Sequence, residues 1–412
     1  MKAKLLNFVA LDLGSSKIAA IAAHIDKKSE IKILSHNLHH AVGIKSGVIT
    51  DLQAAESSII NAIYAIEKDC NKNIKRISIS LSGAGTKSHY TNHKIKLSGS
   101  QITIQDIKKL LQKMLVEFKV KDQEIIHYFP VEFLIDDHHI VENPIGMFGK
   151  ELSCRLHIIT ASSNVLINLT NCLAKCHIEV SNIILSIYAT GIACLSNDEK
   201  NLGAIIIDIG AKTTAVGIFL ANKLIYSNYI TIGSWHITND IAKVFSVNIN
   251  TAEKLKILYG SALLSPFEPD IPLRIEEFEP DNQYNPNMVI SVSQLTAVIN
   301  PRIEEILSMV KQQCDQAAVD YLIARRIVLA GGGAALKSIR ELASTVFERP
   351  VRISKPNGLA EIETSNLEMY ATAIGMVTDH AHRQQKNSLN LHNINENSSW
   401  FKKTLIWLKA NL

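Results

Sequence analysis

Two aspartates, Asp12 and Asp208, stand in the same local pattern in the two halves of the sequence. Each follows an apolar run and precedes one residue, a glycine, a short polar turn and a second apolar run; the stretches read VALDLGSSKIAAI and AIIIDIGAKTTAVGIF. A carboxylate at the end of a buried strand costs free energy unless a cation or hydrogen-bond donors meet it. The glycine lets backbone N–H groups come close to a ligand. Each stretch predicts a hairpin that binds phosphate and magnesium, the alternative for one copy alone being a hairpin with a solvated aspartate.

The repetition favours the binding interpretation, because two copies of one unit indicate a duplicated architecture with a ligand between its halves. A third glycine-bearing turn supports it. A predicted strand at 327–330 runs into Gly331, Gly332 and Gly333, and a helix is predicted over 334–346. Glycines between a strand and a helix place backbone donors at a helix N-terminus, which suits a nucleotide phosphate.

Composition excludes several classes of protein. With 412 residues, 47% of them hydrophobic and 20% charged, the chain has at least two globular domains. The net charge of +4 and the lack of a long basic block outside the C-terminus give no support to nucleic-acid binding. The six cysteines are expected to be reduced, with Cys172 and Cys176 packing in a helix rather than binding metal. Asp12 interrupts the first apolar run, which therefore predicts a strand and not a signal peptide.

The elements around these motifs alternate between strand and helix patterns. Helices are predicted over 52–69, 163–176, 189–195, 234–245, 251–259 and within 292–320, and strands over 77–81 and 180–185. Residues 83–161 differ, with short alternating segments around one helical pattern at 104–117, and predict a small α+β insertion. The sequence therefore predicts an α/β fold of two related halves with an inserted domain.

The C-terminus carries a polar stretch and then an amphipathic one. Residues 381–398 are Asn-rich and aperiodic, which predicts a flexible linker. At about 100° per residue, the large apolar side chains of 399–412 share one face, and the lysines lie outside it or at its flank. The face comprises Trp400, Phe401, Leu405, Trp407, Leu408 and Leu412, and the lysines are Lys402, Lys403 and Lys409. This composition predicts an interfacial membrane helix, the alternative being a terminal helix docked on its own protein.

Taken together, the hairpins, the glycine trio and the insertion resemble the actin-like ATPase superfamily. With Asn143-Pro-Ile-Gly146 and the Trp/Lys helix, essentially the whole chain resembles the FtsA family of bacterial cell-division proteins. That resemblance implies an actin-like ATPase fold in which the α+β insertion replaces the usual small subdomain of the first half. The implied domains are 1–82 with 162–196, the insertion at 83–161, 197–233 with 303–380, a small subdomain at 234–302, the linker at 381–398 and the membrane helix at 399–412.

The resemblance also implies an ATP and Mg²⁺ site. Its first phosphate loop would be Asp12, Gly14, Ser15, Ser16 and Lys17, its second Asp208, Gly210 and Thr213, with Gly331, Gly332 and Gly333 against the adenine and ribose. Both aspartates would orient magnesium through water, and Glu253 and Lys256, at i and i+3, would reach the ribose together. Lys212 departs from the small residues that relatives carry in the second loop. We name no general base, so weak ATPase activity at most is expected.

The function implied is an ATP-binding adaptor that polymerises head to tail. It would hold FtsZ, the tubulin-like division protein, at the cytoplasmic face of the inner membrane and help recruit other division proteins. Arg302 is a candidate contact for the acidic FtsZ tail, the alternative being an ion pair with Glu304 or Glu305. Rival interpretations are an FtsA-like pilus-assembly actin homologue and a small-molecule kinase of the same superfamily.

Overall fold

The computed structural model describes residues 6–83, 85–99, 101–264, 269–279, 287–317, 326–356, 362 and 364–388. The predicted membrane helix, its lysines and most of the linker lie outside these ranges. Within them, no helix combines the length and apolar character needed to cross a bilayer.

Each half contains a five-stranded sheet, and the two sheets have the same arrangement of strands. The strands of the first are β1 (Phe8–Leu13), β2 (Lys17–Ile25), β3 (Ile31–His40), β6 (Arg76–Leu81) and β11 (Glu179–Leu185), in the order β11-β6-β1-β2-β3. Those of the second are β12 (Ala204–Ile209), β13 (Thr214–Leu220), β14 (Lys223–Ile230), β17 (Arg326–Ala330) and β18 (Val351–Ile353), in the order β14-β13-β12-β17-β18. Both combine an antiparallel meander with two parallel strands, which confirms the duplicated fold.

Helices cover both faces of each sheet. In the first half these are α1 (Leu52–Cys70), α3 (Ser163–Lys175) and α4 (Ser186–Cys194), with a short hairpin of β4 (Ile44–Lys45) and β5 (Val48–Ile49) before α1. In the second half they are α5 (Asn197–Leu202), α6 (Ser234–Val244), α7 (Ile249–Tyr259), α8 (Val292–Asp315), α9 (Ile339–Phe347) and α10 (Ala371–Ser388), with β15 (Pro272–Arg274) and β16 (Val289–Ser291) in the small subdomain. Because β1 is covered on both sides, Ala10 and Leu11 are both fully buried although they face opposite helices.

The insertion has its own sheet and core. Its elements are β7 (Thr86–Lys96), α2 (Ile104–Glu117), β8 (Gln123–Ile135), β9 (His139–Val141) and β10 (Glu151–Ser162), with the strands in the order β7-β10-β8-β9. Thr103 begins α2 with a reciprocal capping box to Asp106. Ile107, Leu110 and Met114 then recur on one face and are buried against the sheet.

The insertion also holds the exposed edge of the second half. The Tyr90 hydroxyl donates to the carbonyl of Ile225 at 2.6 Å, and His157 Nδ1 lies 2.9 Å from the carbonyl of Leu224, both on β14. Side chains of the insertion therefore occupy backbone acceptors that an edge strand would otherwise present to another chain.

α4 and α10 pack between the two sheets and join the halves. A Cβ at Gly375 would lie 1.8 Å from the carbonyl oxygen of Ala189, so only glycine permits this approach of the helices. α10 then passes β1, where the ring of His380 stacks on Phe8 with centroids 4.3 Å apart. The helix therefore runs from the Asp12 end of β1 past its Phe8 end.

Two predictions about element boundaries are wrong. The linker does not begin at 381, because α10 continues to Ser388; Ala381 is buried, and Arg383 pairs with Asp379 one turn earlier at 2.8 Å. The helix predicted over 334–346 is instead a 3-10 turn at Gly332–Ala335 followed by α9. Ser338, at φ +59°, takes the left-handed conformation between them and interrupts the helix.

Candidate functional site

The first hairpin turns at residues 14–17. The Gly14 N–H donates to the carbonyl of Lys17 at 3.0 Å, and a Cβ on Gly14 would lie 2.7 Å from that oxygen. The carboxylate of Asp12 lies just before this turn and accepts a 2.6 Å hydrogen bond from Ser80 Oγ. Burial raises the pKa of Asp12 to about 6, against the lowering effects of the Ser80 bond and Lys17.

The second hairpin repeats this geometry. The Gly210 N–H donates to the carbonyl of Thr213 at 2.9 Å, and the register Asp208↔Ala215 matches Asp12↔Ala19. Burial raises the pKa of Asp208, opposed by a 3.0 Å hydrogen bond from Thr190 Oγ1 and by Lys17. Local sequence dictates this similarity, because in both turns a glycine must pass close to a carbonyl.

Lys17 stands between the two carboxylates. Burial lowers its pKa, while the charges of Asp12, Asp208 and Glu368 raise it. The charge of Asp208 in turn raises the pKa of Asp12. The fold therefore brings the two predicted aspartates into one electrostatic cluster with Lys17, and it adds Glu368, which sequence reasoning missed.

A pair of threonines joins the two aspartates. Thr190 on α4 and Thr372 on α10 have their hydroxyl oxygens 3.0 Å apart. Thr190 donates to Asp208, so Thr372 is the donor to Thr190, and Thr372 also helps to lower the pKa of Asp12. Sequence reasoning missed both residues, and the only signal was a hydroxyl within each apolar helix.

The predicted glycine trio lies beside the second aspartate, because β17 runs parallel to β12 with Ala330 opposite Asp208. Gly331 has φ +81°, and a Cβ there would lie 2.3 Å from Asp208 Oδ1. A Cβ on Gly333 would meet Ile209 at the same distance, whereas Gly332 faces open space. Gly331 and Gly333 thus allow this turn to lie directly against the second hairpin, and Gly332 leaves open space beside it.

Glu253 and Lys256 share one face of α7, as their spacing predicts. Lys256 Nζ lies 2.7 Å from Glu253 and 2.8 Å from Thr238 Oγ1 on α6. The start of α6 is bonded to the second loop, since the Ser234 N–H donates to the carbonyl of Gly210 at 2.9 Å. The pair is therefore tied to the second loop, as a ribose contact would require.

The remaining predicted loop residues lie at the cleft with identifiable partners. Ser15 Oγ accepts a 2.8 Å hydrogen bond from the Ser46 N–H, and the Ser16 carbonyl accepts one of 3.0 Å from Ala41. Lys212 Nζ lies 5.1 Å from the centroid of the Trp235 ring. The two glycine turns, the carboxylate pair and the open face at Gly332 fit a magnesium nucleotide bound between the halves, with Asp12 and Asp208 holding the metal's water. The bound magnesium would neutralise phosphate charge there.

Arg302 lies elsewhere, on α8 in the small subdomain. It pairs with Asp240 at 2.6 Å, and it also pairs with Glu305. The ion pair weighed from the sequence as an alternative is thus present, and Asp240 is a second partner. An acidic peptide would have to displace one of these carboxylates to reach the guanidinium.

The fold and the paired hairpins define an actin-like ATPase fold. The chain is similar to Spiroplasma citri MreB5 bound to ADP, with a TM-score of 0.55 and 15% identity over 93% of this chain and 98% of that chain. It is also similar to a structure of the PilM-PilN type IV pilus biogenesis complex, with a TM-score of 0.60 and 12% identity over 92% of this chain and 98% of that chain. At such identities these likenesses establish the fold alone.

Sequence comparison gives the family. The model of cell division protein FtsA matches residues 205–375, and the model of the SHS2 domain inserted in FtsA matches 83–160. Cell division protein FtsA of Borreliella burgdorferi is 31% identical over 92% of this chain and 91% of its own length. The protein from Agrobacterium fabrum is 29% identical over 89% and 85%. The chain belongs to the FtsA family of cell-division proteins, which confirms the resemblance inferred from its motifs.

Proposed function

We propose that this protein binds Mg-ATP between its halves, polymerises head to tail, and holds the FtsZ ring on the cytoplasmic face of the inner membrane at the division site. The observation that carries the proposal is the pair of matched hairpins whose aspartates, Asp12 and Asp208, share one cleft with Lys17. S. citri MreB5 structures with ADP and with AMPPNP have the same fold. ATP would favour the closed arrangement of the halves that polymerises.

Self-association is supported by apolar side chains left exposed on different parts of the fold. Ile140 and Phe148, in the insertion, are 69% and 67% exposed, and Ile257 and Leu258, on α7, are 69% and 63% exposed. Contiguous exposed apolar patches mark interaction surfaces, and Ile257 and Leu258 are neighbours on α7. Two different patches that meet between neighbouring copies make a head-to-tail contact, which propagates into a filament.

The small subdomain at 234–302 is the proposed docking surface for the FtsZ tail. The segment carries eight acidic and five basic side chains, so its supporting feature is the pair of exposed apolar side chains of α7, Ile257 and Leu258, outside the nucleotide hairpins. Because Arg302 is already paired, an Arg302→Glu variant tests whether the peptide competes with Asp240 and Glu305 for that guanidinium. Unchanged affinity for the FtsZ tail peptide would remove Arg302 from the docking surface.

Membrane attachment is proposed for the C-terminal segment 399–412. α10 begins beside Asp12 and passes Phe8, so the helix ends at Ser388 toward the end of β1 opposite the nucleotide hairpins. Each large apolar side chain inserted into the interface would contribute roughly 1.5–3 kcal/mol before ordering costs, and each lysine near an anionic leaflet about 1 kcal/mol. The sum is a reversible anchor that a filament with many tails would multiply.

Co-sedimentation with anionic vesicles tests the anchor. We expect Trp407→Glu to release the protein while Mg-ATP binding stays intact, because Trp407 is not one of the residues proposed to bind the nucleotide. Lys402→Glu with Lys409→Glu should weaken binding mainly to anionic vesicles. Ala410→Glu is the matched control, since it adds the same charge off the apolar face. A Trp407→Glu protein that still pellets like wild type would show that the tail is not the anchor.

A further inference from the structure

Lys212 lies in the second phosphate turn, between Gly210 and Thr213. Its ammonium lies 5.1 Å from the ring centroid of Trp235, and the backbone N–H of Trp235 donates to the carbonyl of Ala211 at 2.8 Å. A cation over an indole face is held by the ring quadrupole. The ring therefore fixes the lysine next to the turn rather than leaving it free in solvent.

Lys45 belongs to the first half and lies close enough to Lys212 for the two charges to interact. It lies in the β4–β5 hairpin, next to Ser46, whose N–H donates to Ser15 Oγ in the first phosphate turn at 2.8 Å. The Lys45 side chain is exposed. The two lysines therefore belong to different halves of the molecule, and each adjoins the phosphate turn of its own half.

The charges of the two lysines act on each other. The pKa of Lys212 is lowered by burial and then by the charge of Lys45, and no acid in the described ranges counters these effects. Like charges that face each other across a cleft oppose its closure unless an anion lies between them. Asp12, Asp208 and Lys17 already make a cluster deeper in the cleft, so the lysine pair is a separate feature at its mouth.

We propose that Lys45 and Lys212 together hold the terminal phosphate of a nucleoside triphosphate and so distinguish ATP from ADP. This inference rests on the proposed nucleotide site. The terminal phosphate is the group that ADP lacks, and ammonium groups bind it as point charges. With ATP bound, the terminal phosphate attracts both lysines and so offsets the repulsion between them. With ADP, the repulsion between the lysines persists.

The test compares nucleotide affinities in the full-length protein by calorimetry. Lys45→Gln and Lys212→Gln are each expected to weaken Mg-ATP binding about tenfold and to leave Mg-ADP binding within about twofold. Lys212→Arg keeps the charge and should retain most of the preference for ATP. Lys27→Gln, in the turn between β2 and β3, is the matched control, because that lysine is equally exposed but lies at the far end of the first sheet.

Fluorescence gives a second readout at the site itself. Replacing Trp400 and Trp407 by Phe leaves Trp235 as the single tryptophan of the chain. Mg-ATP should then shift the emission of Trp235 as Lys212 moves toward the phosphate, and Mg-ADP should shift it much less. The Lys212→Gln substitution should abolish that difference between the nucleotides.

The outcomes distinguish a failure of the lysine-pair proposal from a failure of the nucleotide site itself. If wild type binds both nucleotides but neither glutamine variant changes the ATP-to-ADP affinity ratio, the lysine pair does not read the terminal phosphate. If wild type binds neither nucleotide, the proposed nucleotide site itself is wrong.

Discussion

The threonine bridge gives the sharpest prediction about residues that the sequence did not point to. Thr372→Val keeps the shape of the side chain but removes the hydroxyl that lies 3.0 Å from Thr190 and helps to lower the pKa of Asp12. A hydrogen bond to a charged buried group contributes about 1.5–3 kcal/mol. Because magnesium requires the ionised carboxylate and the pKa of Asp12 is about 6, the loss should lower the ionised fraction at pH 7, and with it Mg-dependent ATP affinity, by roughly two- to fifteenfold.

Calorimetry with ATP in the presence and absence of magnesium measures this effect. Thr372→Ser restores the hydroxyl and should recover most of the affinity. Thr378→Val is the matched control on the same helix, since its hydroxyl bonds only the helix's own carbonyl of Ile374 at 2.9 Å. If Thr372→Val and Thr378→Val bind Mg-ATP equally well, the bridge does not position the carboxylates.

Two further predictions concern the insertion. Burial first, and then His89, lowers the pKa of His157 to about 4, below its ordinary 6.5, so its contribution to stability is complete above pH 6.5 and is lost as pH falls toward 4. His157→Gln should therefore make the free energy of unfolding depend less on pH in that window, by about 1.4 kcal/mol per pH unit. Urea unfolding at several pH values measures this dependence, and an unchanged slope would contradict the prediction. Phe148→Asp should reduce ATP-dependent filament formation on vesicles in electron micrographs, whereas Tyr64→Asp, equally exposed at 64% on α1, should not; filaments unaffected by Phe148→Asp would exclude that surface.

The parts of the site that follow from local sequence could be predicted. Asp12 and Asp208 each lie in a strand, turn and strand encoded within a few residues, and the glycine of each turn leaves no room for a Cβ beside the carbonyl that it approaches. The spacing of Glu253 and Lys256 likewise fixes their common face on a helix. Such features depend on residues close together in the sequence, so their geometry can be predicted before the fold is known.

The parts of the site that depend on contacts between distant segments could not be predicted from the sequence. Thr190 and Thr372 meet only because α4 and α10 cross at Gly375, and nothing in either helix identifies the other as its partner. Arg302 pairs with Asp240 as well as with the neighbouring Glu305, and the sequence does not show that α6 brings Asp240 next to α8. The linker prediction failed because composition alone cannot show that Ala381 is buried against the first half.

The central claim is that the two hairpins hold Mg-ATP between them, and Asp208→Ala tests it most directly. Asp198→Ala, which removes an exposed carboxylate from α5, is the control. Titration calorimetry should show Mg-ATP affinity reduced at least about tenfold in Asp208→Ala, because the phosphates would lose their organised counter-ion, and unchanged in Asp198→Ala. An Asp208→Ala protein that binds Mg-ATP as tightly as wild type would contradict the assignment of this cleft as the nucleotide site.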